Sequence, residues 1–70
     1  MKISYDPEVD ALSFIFRETT VTTKHLPEGI ALDYDAQGNL AGIEVLDAVA
    51  RFGGRETLGQ ITLEGVGLPV

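Results

Sequence analysis

The sequence predicts an α+β protein, mainly β, with a small antiparallel sheet of about four to five strands and one short helix near residues 47–52. Three observations carry this. Short apolar runs alternate with period two. Pro, Gly and Asp clusters punctuate them at short intervals. Only Asp47-Ala-Val-Ala-Arg-Phe52 has both a helix start signal and a helix stop signal, the latter being Gly53-Gly54.

Lys2-Ile-Ser-Tyr5 opens as a strand, with Ile3 and Tyr5 on one face. Asp6-Pro7-Glu8 breaks it, because proline lacks a backbone donor and Asp before Pro favours a turn. Ala11 to Phe16 returns as a second strand with Leu12, Phe14 and Phe16 on one face. Glu18 to Thr23 carries four threonines and a valine, so it reads as a strand or an edge loop. After Pro27-Glu28-Gly29, Ile30 to Tyr34 and Leu40 to Leu46 read as two further strands. Gln60 to Glu64, QITLE, alternates once more and reads as a last strand, followed by a loose tail at 65–70. The whole, residues 1–70, is expected to form a single domain.

The stretch Asp33 to Glu44 matches part of the calcium-loop template, with acids at the first, third and twelfth positions and Gly38 at the sixth. It also reads as a hairpin. A four-residue turn, Asp35 to Gly38, would use Gly38 at positive φ and absorb an extra residue at a bulge, for which Gly42 is suited. A two-residue turn at Gln37-Gly38 would instead set Ile30, Leu32 and Tyr34 opposite Val45, Ile43 and Ala41. Strand spacing of about 3.4 Å per residue keeps the acids apart, and the flanks lack helical periodicity. The hairpin is expected, without a calcium site.

Seventy residues with 44% hydrophobic and 23% charged composition fit a globular chain near the lower size limit for one core. The absence of cysteine excludes disulfide staples and suits a reducing cytoplasm. A net charge of −6, with five dispersed basic residues, excludes a nucleic-acid patch. No apolar run reaches membrane-spanning length and MKISYDPEVD has no signal-peptide core, so neither membrane nor export is expected.

The opening M-K-x-x-Y-D, Asp10-Ala-Leu12, the D-x-D-x-x-G of the hairpin and Gly42-Ile-Glu-Val-Leu-Asp-Ala48 together resemble a family of small prokaryotic proteins. That family is catalogued as a domain of unknown function, number twenty-two eighty-three. The resemblance covers residues 1 to about 50, with Ser13 standing where the family usually has tyrosine. It implies a compact β-rich fold and no established activity. Because some relatives are encoded beside small toxin-like proteins, it also implies a possible neutralising partner.

Asp33, Asp35, Glu44 and Asp47 are the candidate acidic interaction face. A catalytic pair among them needs one carboxyl raised by burial, which outward strand positions do not promise. Asp6 is read as starting the first turn and Asp10 as capping the return into the second strand. His25, the one histidine, is read as a surface residue without an orienting partner, and Ser4 and Ser13 sit in strands where no nucleophile elbow forms. The glycines of Arg51 to Glu56 are read as a helix end and not an anion loop, and Phe52 as the anchor of the helix. No catalytic residue, metal or cofactor is expected. The leading expectation is a non-catalytic interaction module that self-associates as a homodimer. An acidic, antitoxin-like partner of a small basic protein is second, and a carboxylate-based metal-binding or hydrolytic protein third.

Overall fold

The computed structural model describes residues 1–65 and 67. Five strands are laid down in chain order: β1 (Lys2–Asp6), β2 (Ala11–Ile15), β3 (Thr22–His25), β4 (Ile30–Tyr34) and β5 (Leu40–Val45). All neighbours are antiparallel, and the order across the sheet is β1-β2-β5-β4-β3. Two one-turn helices follow, α1 (Ala48–Arg51) and α2 (Arg55–Leu58). The fold is α+β and mainly β, as the alternating runs predict.

The pairing register sorts the side chains into rows. Ile3, Phe14, Ile43 and Leu32 run across one face, with Tyr5, Leu12, Val45 and Ile30 in the next row. This is the apolar face that the helices overhang. On the outer face Ser4, Ser13, Glu44, Ala31 and His25 form one row, and Lys2, Ile15, Gly42, Asp33 and Thr23 another.

The β4–β5 hairpin combines the two turns the sequence allows. Asp35 N–H donates to the Asn39 carbonyl and Gly38 N–H to the Asp35 carbonyl, with Gly38 at φ 84°, so the four-residue turn forms. The register then shifts between Asp33 and Tyr34, which pair with Gly42 and Leu40. Ala41 is therefore the bulged residue, one position before the glycine expected to bulge. Its carbonyl accepts from both Phe16 and Arg17 N–H, at 2.8 and 3.2 Å. Beyond the bulge the pairing of Ile30 with Val45 and Leu32 with Ile43 is that of the two-residue alternative. Tyr34 lies opposite Leu40 and not Ala41. That turns Leu40 toward the apolar face, not away from it.

Three further expectations are corrected. Asp47 occupies the N-cap position of α1 but sits at φ 53° and makes no side-chain cap. QITLE forms no strand: Ile61 and Leu63 stay 59% and 66% exposed. Alternation reports a capacity to pair, and it does not by itself make a strand. Between them lies α2, which the sequence reading leaves unassigned. The glycines do end α1 as expected. Gly54 N–H reaches the Val49 carbonyl at 2.8 Å and Gly53 N–H the Ala50 carbonyl at 3.4 Å, the paired closure of a Schellman motif. Of the expected loose tail at 65–70, Val66 and Leu68–Val70 lie outside the described residues.

The core is thin. Among the described residues the buried apolar ones are Ala11, Leu12, Ala31, Ala41 and Ala48, and no large side chain is fully buried. On the inner face Ile3, Phe14, Ile30, Leu32, Ile43 and Val45 are half-buried, and Tyr5 and Leu40 are exposed.

Candidate functional site

Of the four acids expected to share a face, the structure brings two together. Asp33 and Glu44 are diagonal neighbours on the outer face of β4 and β5. Gly42, directly opposite Asp33, has no side chain to keep them apart. A Cβ placed there would stand 3.3 Å from Asp33 Oδ2 and 3.0 Å from the Phe14 carbonyl. Thr23 donates its hydroxyl to Asp33 Oδ1. Burial raises the Glu44 carboxyl above its ordinary value, and the Asp33 charge and a hydrogen bond shared with Asp33 raise it further, while His25 nearby pulls it down. An outward strand position thus provides the shielding that the sequence reading did not grant it. The pair can hold a proton between two oxygens. Ser13 is Glu44's neighbour on β2, and Ala31 separates Glu44 from His25 in the row.

Asp35 lies apart. Its side chain is only 2% exposed and closes the hairpin turn. Oδ1 accepts the backbone N–H of Asn39 at 2.8 Å and of Gln37 at 3.0 Å, and Arg17 stands 3.5 Å from Oδ2. The Asn39 backbone bond leads in holding its carboxyl below the ordinary range, against the opposing effect of burial. Asp47 is exposed at the start of α1, away from the turn. Among the described residues, no three His, Asp or Glu side chains gather as a metal centre requires.

The helix cap that Asp47 does not supply comes from Asp10. The Asp10 carbonyl accepts Ala48 N–H at 3.1 Å, and its carboxylate accepts Val49 N–H at 3.1 Å and Tyr5 O–H at 2.7 Å. That bond to Asp10 is the main reason the Tyr5 phenol titrates above its ordinary value. Asp6 holds the first turn as expected, its carboxylate accepting Glu8 N–H at 3.0 Å. Asp10 and Asp47 both adopt positive φ, which Asp tolerates better than most residues. No local signal in the sequence points from Asp10 to residue 49.

The second feature is an open apolar groove where the helices meet the β1–β2 side of the sheet. Its volume is about 190 Å³, and it is lined by Ile3, Leu12, Phe14, Phe52, Leu58 and Ile61. Phe52, expected to anchor the helix in the core, lines the groove and remains 37% exposed. Arg51 is spent on structure, donating Nε–H to the Leu46 carbonyl at 2.8 Å and reaching over Gly29, its guanidinium 2.6 Å from where a Cβ would stand. No described helix is long and apolar enough to cross a membrane.

No curated protein and no solved structure matches the chain. One family does: the model described as "Protein of unknown function (DUF2283)" matches residues 2–48, which hold the entire sheet and the first residue of α1. The chain belongs to that family.

Proposed function

We propose that this chain is a small, non-catalytic interaction module that works as a homo-oligomer, the homodimer being its simplest form. The observation that carries the reading is an apolar face left half-covered. The accessible surface is 5456 Å² for 7.5 kDa, whereas a compact monomer of that mass exposes about 4,200 Å². The radius of gyration, 13.3 Å, likewise exceeds the roughly 11 Å of a compact 70-residue domain. Part of the difference lies in the exposed Gln60–Glu64 segment and part in a sheet that two single helical turns do not cover. Burying a large apolar side chain is worth about 1.5–3 kcal/mol, so a domain of this size gains much of its stability by covering that face. Light scattering across a dilution series tests it. A mass above 7.5 kDa is expected, and a folded monomer at low micromolar concentration refutes it.

A second reading has its own support in the net charge of −6 and the outward Asp33–Glu44 pair. In it, a small basic protein docks on the outer face, with charge speeding its association. Purification of the tagged protein from its host at low salt tests this, and recovery of the chain alone counts against it.

A further inference from the structure

Among the described residues the sheet has two free edges, β1 and β3. Each presents unpaired backbone donors and acceptors, a standing invitation to another strand. They differ in what they offer a second copy. A symmetric antiparallel pairing that keeps the apolar face continuous must be centred on a residue, not between two residues, because paired residues then share a face. On β3 such registers set Lys24 opposite Thr22 or opposite itself. On β1, with the sequence Lys2-Ile-Ser-Tyr-Asp6, centring on Ser4 sets Lys2 opposite Asp6 of the other copy and Ile3 opposite its Tyr5, each twice. Every residue of the strand is then paired. Both charges find an opposite, and Ile3 and Tyr5 carry the apolar face across the junction.

The surroundings of β1 favour the same partner. Ser4 and Tyr5 are exposed, and the groove lined by Phe52 and Ile61 opens directly above Ile3. Lys2 has only a 4.0 Å contact with Glu18, between two largely exposed side chains, which leaves it free to turn toward a new carboxylate. Pro7 follows Asp6 and lacks an N–H, so the ladder stops after five residues and the pair closes on itself.

We propose that two copies of this chain join edge to edge along β1, antiparallel, about a two-fold axis through Ser4, forming a continuous ten-stranded sheet with the two apolar grooves side by side. This rests on the self-association reading and names its surface.

The test uses the absence of cysteine. At the axis the two Ser4 Cα atoms would stand about 4.5–5.5 Å apart, within the usual range for a disulfide. Ser4→Cys is expected to cross-link into a covalent dimer under mild oxidation, whereas Thr22→Cys on the opposite edge is not. Lys2→Asp and Asp6→Lys should each weaken association about tenfold, since each places like charges together twice. The double variant should restore it. If the parent self-associates but Ser4→Cys does not cross-link and the charge variants change nothing, the edge assignment is wrong while self-association stands. If the parent is a folded monomer throughout, both fall.

Discussion

The Asp10 carboxylate accepts the backbone N–H of Val49 at 3.1 Å, across 39 residues of chain. Helix α1 is only four residues long and cannot hold itself together in water. Its first amides are satisfied from the β1–β2 turn instead, which ties the helix to the sheet. Asp10 and Asp47 offer a matched comparison because both have positive φ. Asp10→Gly keeps the backbone but removes the cap, and should cost about 1–2 kcal/mol, or several degrees in Tm. Asp47→Gly should be neutral or slightly stabilising. Thermal melts of both variants decide it, and equal losses would mean that Asp10 is no cap.

The Asp33–Glu44 pair predicts a pH dependence of definite sign. Glu44 binds its proton more tightly in the folded chain than at its ordinary value of 4.5. Its contribution is therefore fully present below 4.5 and is lost as pH rises through the higher folded value. Glu44→Gln keeps the neutral form and can donate an N–H to Asp33. It should be more stable than the parent at pH 7, with the gap closing toward pH 4. The difference in Tm between the two proteins across pH is the measurement; a gap that widens on acidification would reverse the assignment.

Gly42 is predicted to resist substitution, because the Phe14 carbonyl and the Asp33 carboxylate both stand close to where a Cβ would go. Gly42→Ala places a methyl 3.0 Å from the Phe14 carbonyl and 3.3 Å from Asp33 Oδ2. A loss of about 1–3 kcal/mol is expected. Adding Asp33→Ala should recover about 0.5–1 kcal/mol of it, since only the carboxylate contact is relieved. Strict additivity in chemical denaturation would show that the two residues do not touch.

Calcium should leave the protein's melting temperature unchanged relative to chelator. The Asp35 carboxylate is taken up by the turn amides, Asn39 and Arg17, and Asp33 by Thr23 and Glu44. Coiling the loop around an ion would first have to break those bonds. A one-per-chain micromolar site in titration calorimetry, abolished in Glu44→Gln, would contradict this.

Much of the sheet was legible because period-two runs such as Ile30 to Tyr34 carry their own pairing signal. The hairpin was legible in halves. Gly38 announced the turn and the apolar row announced the register, and a bulge at Ala41 reconciles them. What stayed hidden was long-range. Nothing near Asp10 names Val49 as its partner, and Asp47 looked the better cap because the signal for capping is local. The Asp33–Glu44 contact needed the third dimension as well. The diagonal could be read, but not the lean of Asp33 into the space that Gly42 leaves. QITLE misled because alternation reports only the capacity to pair.

The central claim, that the half-covered sheet is completed by another copy, is tested most directly by thermal unfolding at protein concentrations from about 1 to 100 µM. Dissociation accompanies unfolding in a homo-oligomer, so mass action should raise Tm by several degrees across that range. A cooperative melt at one fixed Tm, whatever the concentration, would mean that this thin sheet stands alone.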